Sequence, residues 1–215
     1  MIDYVIANEN VILAALSQHI MLALVPIVLG ALIALPIGFL AVRYGWLYHP
    51  LLNVSGLLYS IPSLALFLII PGIIGTKILS PINIIVALTV YTVALLVRVV
   101  ADGLRSVDGI VTQAASAMGY RRIRRFFEVE LPIALPVMLA GLRVATVANI
   151  SLVSVGALIG VGGLGALFTR GLQLRYLDPI IVGIVLSVLL AVLCDLVIVL
   201  VQRRLTPWTR VKGRS

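Results

Sequence analysis

Apolar residues fill five long runs of the chain, and polar residues interrupt them at few places. Each run offers the roughly 20 apolar residues that a helix needs to cross a hydrocarbon core of about 30 Å. The pattern predicts membrane-spanning helices at about 20–42, 51–72, 82–100, 132–155 and 179–201. Prolines within the runs are compatible with this, because neighbouring groups can satisfy the freed backbone. The expected fold class is an all-α integral membrane protein, a five-span helical bundle forming one transmembrane domain over residues 1–215.

Composition supports a membrane protein and excludes several soluble classes. Hydrophobic residues make up 62% of the 215 residues, and charged residues make up 11%. A soluble domain carries about 25% charged residues, so this chain has too few charges to cover a water-exposed surface. An ordinary soluble enzyme, a nucleic-acid-binding domain and a disordered tail are therefore excluded. No nucleic acid partner is expected, although the formal net charge is +8.

Basic residues are distributed unevenly between the segments that join the runs. With the N-terminus outside, the outer segments hold only Lys77, Arg170 and Arg175, and the inner segments hold nearly all the other basic residues. Lys and Arg are enriched in cytoplasmic loops of membrane proteins. This asymmetry predicts an N-out, C-in orientation.

A glycine-rich stretch follows the fourth run. We expect residues 152–168 to form the end of the fourth span and a re-entrant or surface turn on the outer side, because a sixth span would place the basic C-terminus outside. Glycines here could allow close helix approach or bending of an outer gate. The candidate gate glycines are Gly160, Gly162, Gly163 and Gly165. Their spacing matches G-x-G-x-x-G, but the preceding strand and the following acid that a dinucleotide site requires are missing.

The inner segment 101–131 holds most of the polar character of the chain. Apolar residues recur at helical spacing between Val107 and Met118, which predicts an amphipathic helix. Gly119 interrupts it, an arginine-rich stretch follows, and Pro132 falls in the first turn of the next helix, where proline is tolerated. One interpretation is a basic anchor lying on anionic lipid. The other is a docking element for a cytoplasmic partner, and composition alone does not separate them.

The spacing of this segment resembles a family signature. Gln113-Ala-Ala, three residues, Gly119, nine residues and Val129-Glu-Leu-Pro132 is similar to the Glu-Ala-Ala signature in permease subunits of binding-protein-dependent ABC importers. Gln113 replaces the usual Glu and Val129 the usual Ile. The resemblance implies a cytoplasmic coupling loop over residues 101–131 that contacts an ATPase. The candidate contact residues are Gln113, Ala114, Ala115, Gly119, Leu131 and Pro132.

The resemblance extends to Tyr59–Phe67, Gly160–Gly165 and Leu193–Asp195. Together these are most similar to permeases for the osmoprotectants glycine betaine, carnitine and choline, with methionine or another small solute as the alternative. The implied partners are ABC ATPase subunits, an extracytoplasmic solute-binding protein and membrane lipid, in the cell membrane of a bacterium or archaeon. The implied mechanism is alternating access.

No internal repeat is visible, and a bundle this small would complete a pathway with a second copy or a homologue. A Walker A motif is also absent, so ATP-Mg would be bound by the partner ATPase. We therefore expect no enzyme activity, no catalytic residues and no cofactor in this chain. An ATP-independent channel or secondary carrier is a further alternative, whereas the unclustered inner carboxylates argue against a membrane-embedded enzyme.

Two ionisable residues lie inside predicted spans. Groups of this kind usually pair with one another or face a cavity, so we expect Arg143 and Asp195 to approach each other, within one subunit or across a dimer. The alternative is that Asp195 faces a polar pocket while Arg143 extends to the interface. His19 is interpreted as an interfacial residue that opens the first span. His49 and Cys194 lie far from it, so no metal site is expected, and the pattern identifies no substrate-binding residue.

Overall fold

The structure is a computed structural model that describes residues 1–208. These residues form helices joined by short segments, and no strand occurs among them. The first five helices are α1 (Ile2–Ala7), α2 (Glu9–Arg43), α3 (Gly45–Ser60), α4 (Ser63–Ile74) and α5 (Pro81–Arg105). Two short helices, α6 (Gly109–Ala117) and α7 (Arg122–Arg125), lead through a π-helical turn, Phe126–Glu130, into α8 (Leu131–Gly156). A 3-10 turn, Ala157–Ile159, precedes α9 (Gly165–Leu174) and α10 (Leu177–Leu205).

Four helical segments in the described part of the chain are long and apolar enough to cross a membrane. They are Glu9–Arg43, Pro81–Arg105, Arg122–Ile159 and Leu177–Leu205. The pair α3 and α4 makes a fifth span only if it is counted as one broken span. The all-α membrane fold is thereby confirmed.

The segment predicted as a span at about 51–72 is not one straight helix. The helix begins at Gly45, and the chain bends by 103° between α3 and α4. The cause is local, because the residue before a proline is disfavoured in the α region. Ile61 adopts φ −64°, ψ 130°, and Pro62 is also extended. α3 therefore ends at Ser60, and α4 starts in a new direction.

α5 lies at the centre of the bundle, packed against α2, α3, α4 and α8. Its contact with α2 is close because Gly30 faces Thr92; a Cβ on Gly30 would lie 2.4 Å from Thr92 Cγ2. Asn149 of α8 donates a hydrogen bond to Thr92 Oγ1 at 2.9 Å, and the Thr92 hydroxyl donates to the Leu88 carbonyl at 2.7 Å. The small residue Gly30 and the hydrogen-bonded hydroxyl of Thr92 thus allow α2, α5 and α8 to pack closely.

The largest buried cluster surrounds the N-terminal half of α5, and Phe67, Ile84, Leu88 and Val153 are among its members. α10 is much more exposed, since its buried residues are Pro179, Val182, Gly183 and Leu190. An exposed apolar helix in such a chain has to face lipid or another protein.

Candidate functional site: the signature loop and the polar contacts of the spans

The signature loop begins with a capped helix. The Asp108 side chain accepts a hydrogen bond from the Ile110 backbone N–H at 2.8 Å, which satisfies one of the free donors at the start of α6. α6 buries only Ala115, while the side chains of Ile110 and Met118 are exposed by 73% and 72%. An exposed apolar face on a short helix outside the candidate spans is typical of a docking surface.

Gly119 ends α6 in a left-handed conformation, with φ +84°. The Tyr120 N–H donates to the Ala115 carbonyl at 3.1 Å, and the Gly119 N–H donates to the Ser116 carbonyl at 3.0 Å. This pair of hydrogen bonds is the Schellman arrangement, which favours glycine at this position. The glycine in the signature spacing therefore sets the angle at which the chain leaves α6.

The six candidate contact residues fall into two groups. Gln113, Ala114 and Gly119 are exposed, whereas Ala115 is buried and Leu131 and Pro132 are half-buried at the start of α8. Leu131 packs against a buried cluster that includes Leu104 of α5. The exposed group is available to a partner, and the buried group attaches the loop to the spans.

Ion pairs tie the loop together. Arg125 Nε lies 2.6 Å from Glu130 Oε1, and Arg125 Nη1 donates to Ser116 Oγ at 2.7 Å. These contacts connect α6, α7 and the π-helical turn. Arg124 forms a further, exposed pair with Glu128 at 2.9 Å. A loop held in this way can move as one unit with α8.

The structure brings Arg143 of α8 and Asp195 of α10 together. Arg143 Nε lies 2.6 Å from Asp195 Oδ1, and Arg143 Nη2 lies 2.8 Å from Asp195 Oδ2. This is a bidentate arrangement, and both side chains are about one-third exposed. The pair neutralises two charges that would each be costly to place at membrane depth.

The glycine-rich stretch packs onto α2. The Gly163 N–H donates to Gln18 Oε1 at 3.0 Å, and the Leu164 N–H donates to His19 Nδ1 at 3.1 Å. Gly160 and Gly163 have positive φ, and Gly165 is buried. A Cβ on Gly162 would lie 2.2 Å from Gln18 Oε1. Of the four candidate gate glycines, Gly162 and Gly163 thus lie directly against polar side chains of α2.

The interpretation of His19 as an interfacial residue is wrong. α2 begins at Glu9, so His19 lies inside the helix and is fully buried. Because its Nδ1 accepts from Leu164, its Nε2 carries the proton and donates to the Ile150 carbonyl at 3.0 Å. The adjacent polar pair Gln18-His19 within a long apolar helix was the sequence signal for this contact. Within residues 1–208, no group of three or more His, Cys, Asp or Glu side chains could hold a metal.

A family model described as "Binding-protein-dependent transport system inner membrane component" matches residues 11–207. The chain belongs to this family. It is an ABC importer permease, as the signature spacing implies.

Two curated relatives span nearly the whole permease. It is 34% identical to "Osmoprotectant import permease protein OsmW" of Salmonella typhimurium, over 96% of this chain and 97% of the relative. It is 30% identical to "Glycine betaine/carnitine/choline transport system permease protein OpuCD" of Bacillus subtilis, over 98% of this chain and 91% of the relative. These names match the family that the sequence resembles.

Solved structures show the same fold. An inward-facing structure of the MetNI methionine ABC transporter superposes with a TM-score of 0.82 at 23% identity, covering 91% of this permease and 96% of that chain. An amino acid ABC transporter solved with histidines gives a TM-score of 0.75 at 18% identity, covering 93% and 96%. At these identities the likeness concerns the fold.

Aromatic residues hold the break between α3 and α4 of the permease. The Tyr91 hydroxyl of α5 donates a hydrogen bond to the Ile61 carbonyl, which the break leaves without a helical partner. The Tyr59 and Tyr91 rings meet edge to face with centroids 5.7 Å apart, and Tyr59 is 45% exposed. The sequence pattern pointed to Tyr59–Phe67, but it contained no signal for Tyr91.

Proposed function

We propose that this permease is the transmembrane subunit of an ATP-driven importer for a quaternary ammonium osmoprotectant such as glycine betaine, carnitine or choline. The observation that carries the proposal is the similarity, over nearly the whole chain, to relatives named for these solutes. The methionine and amino acid transporters are similar in fold at 18–23% identity, which gives less support to the alternative solute.

In this proposal the signature loop faces the cytoplasm, the N-terminus lies outside, and the protein is a multi-pass component of the bacterial inner membrane. The exposed face of α6, with Ile110, Gln113 and Met118, docks on an ATPase subunit that binds ATP-Mg. The Arg125 contacts to Ser116 and Glu130 support this role, because a loop fixed at several points can transmit a rigid-body movement. ATP hydrolysis is assigned to that partner, because the sequence contains no Walker A motif.

The solute path is proposed to run along the broken span. Irregular backbone at membrane depth is tolerated where it is buried in protein or lines a water-filled cavity. The exposed ring of Tyr59 beside the break offers a π face, to which a quaternary ammonium group is attracted. A second permease, either a copy or a homologue, would close the path, and a solute-binding protein would deliver solute from outside. Alternating access then follows from the two halves rocking against each other.

The first experiment is a mild-detergent pull-down of the tagged permease, with Gly119→Asp as the loop variant and Gly45→Asp as the charge control. Both glycines have open space around them, but only Gly119 lies on the proposed docking surface, where a new carboxylate would oppose contact with the partner. The wild type and the Gly45 variant should recover a protein with a Walker A motif, and the Gly119 variant should lose it. Recovery of no ATPase by the wild type would contradict the proposal.

The second experiment separates the transport alternatives. The permease reconstituted alone should pass no labelled glycine betaine, whereas the complex with its ATPase and binding protein should import it only with ATP. Uptake by the permease alone would indicate a channel or secondary carrier. ATP-dependent uptake of methionine in preference to glycine betaine would overturn the solute assignment.

A further inference from the structure

Two connected cavities open between α2 and the segment that joins α7 to α8. The first, here called the arginine cavity, has a volume of about 280 Å³ and is lined by Arg43, Arg122, Arg125 and Glu130 among others. The second, the phenylalanine groove, has a volume of about 410 Å³ and an almost entirely apolar lining that includes Leu35, Phe126, Phe127 and Leu131. Phe39, Arg43 and Ile123 line both. The two cavities therefore form one continuous cleft, charged at one end and apolar at the other.

Polarity changes in the same direction on both walls of this cleft. On α2, Leu35, Phe39 and Arg43 are spaced four residues apart and share a face. At a rise of about 1.5 Å per residue, Leu35 lies roughly 12 Å deeper in the bundle than Arg43. On the opposite wall, Arg122 precedes the aromatic pair Phe126 and Phe127, which leads to Leu131. The lining of the cleft thus changes from charged to apolar with distance from the C-terminal end of α2.

The arginine cavity has a surplus of positive charge. Arg125 is neutralised by Glu130 at 2.6 Å. Within residues 1–208, no carboxylate forms a salt bridge with Arg43 or Arg122. Arg43 makes a cation–π contact with the Tyr44 ring, whose centroid lies 5.3 Å from the guanidinium carbon. Two guanidinium groups therefore remain available to an anion.

Aromatic residues place the arginine cavity at the membrane surface. Tyr44 follows Arg43 directly, and Trp46 is 75% exposed two residues later. Trp and Tyr concentrate at the level of lipid headgroups. In the groove, Phe39 packs against Phe126 with ring centroids 4.4 Å apart, while Phe127 is 60% exposed. The groove is therefore closed on one side by the packed pair Phe39 and Phe126, and it is open on the side of Phe127.

We propose that this cleft binds one anionic phospholipid. Arg43 and Arg122 contact the phosphate, and an acyl chain lies along the phenylalanine groove. The order of charged and apolar residues on both walls reproduces the order of headgroup and chain in a lipid, and this supports a lipid over a free phosphate. An ATPase subunit would contact the arginines from the water side, but it would not reach the depth of Leu35. The inference goes beyond the proposed function and does not depend on which solute is carried.

The experiment uses the permease purified with its ATPase and measures lipid binding by native mass spectrometry. Dioleoyl phosphatidylglycerol and dioleoyl phosphatidylcholine are the probes, and Arg43→Gln with Arg122→Gln is the test variant. Arg121→Gln with Arg124→Gln is the matched control, because it removes the same charge from exposed residues that do not line the cleft. Thermal melting of both variants checks that they are folded.

The wild type should retain phosphatidylglycerol in preference to phosphatidylcholine. The test variant should bind phosphatidylglycerol about 10- to 30-fold more weakly, which is the loss of affinity expected when two arginines near a membrane surface are removed. The control variant should bind as the wild type does. Phe127→Ala should also weaken retention, because it shortens the wall of the groove. Millimolar inorganic phosphate should not displace the lipid, since phosphate lacks an acyl chain.

Three outcomes would overturn the proposal. Equal weakening in the control variant would indicate a diffuse surface potential in place of a defined site. Displacement of the lipid by inorganic phosphate would indicate a site for a soluble anion. Loss of the ATPase from the test variant with unchanged lipid binding would assign the cleft to protein docking.

Discussion

The guanidinium of Arg143 and the carboxylate of Asp195 form a bidentate ion pair between α8 and α10, with N–O distances of 2.6 and 2.8 Å. α8 belongs to the packed part of the bundle, whereas α10 exposes most of its surface. The pair is thus a polar link between the core and its most exposed long helix. Its two members are 52 residues apart in the chain.

The first prediction concerns the coupling within this pair. Asp195→Asn alone and Arg143→Gln alone should each lower the melting temperature in detergent by several degrees, because each leaves one charge without its partner. The double variant should melt above the less stable single variant, since it removes both charges. The measurement is a double-mutant cycle of melting temperatures. Additive losses would show that the two side chains do not interact energetically.

The second prediction concerns His19. His19→Leu removes the acceptor of the buried Leu164 N–H and should destabilise the protein by about 1–3 kcal/mol. His19→Asn should lose less, because its side-chain oxygen can approach the position of Nδ1. Hydrogen exchange at Leu164 should accelerate in the Leu variant, and melting temperature gives the global effect. His49→Leu is the control, since His49 is exposed; unchanged protection of Leu164 in the His19 variants would contradict the assignment.

The third prediction contrasts two helical glycines. Gly30→Ala should destabilise the protein by about 1–3 kcal/mol, because the new methyl group overlaps Thr92 and separates α2 from α5. Gly72→Ala has open space around it and should stabilise α4 by up to about 1 kcal/mol through its higher helix propensity. Thermal unfolding of both variants in the same detergent compares them. Equal losses would mean that the close contact at Thr92 has no special importance.

The fourth prediction concerns the backbone at Gly119. Gly119→Asn should keep most of the ATPase recovered in the pull-down, because asparagine tolerates a left-handed conformation. Gly119→Val should lose it, because a β-branched residue is strained there by roughly 1–2 kcal/mol and would shift the end of α6. Equal losses would indicate that the glycine is required for close approach of the partner and not for its φ angle.

Much of the fold could be predicted because it depends on local properties. The apolar runs indicated which segments are long enough to cross a membrane, and the break at Ile61–Pro62 occurs at a proline that was present in one of them. The angle of 103° could not be predicted, because it depends on how Tyr91 and the buried cluster around Phe67 hold α4. The start of α2 at Glu9 was also missed. The polar residues Gln18 and His19 end the apolar run on its N-terminal side, although the helix extends beyond them.

The signature spacing from Gln113 to Pro132 identified the family, because the motif consists of particular residue types at fixed separations within one segment. The role of each residue within that segment required the structure. Ala115 is buried while Ala114 beside it is exposed, and this difference depends on the rotation of α6 against α7.

Hydropathy and motif spacing thus depend on residues that are close together in the chain, and they were sufficient to predict the membrane fold class and the permease family. Contacts between distant residues were decided by the rotation and crossing of the packed helices. The hydrogen bond between His19 and Leu164 joins residues 145 positions apart, and the cleft between Arg43 and Arg122 forms only where α2 lies beside the segment from α7 to α8. Neither can be obtained from local periodicity, because each needs two helices to present particular faces at the same depth.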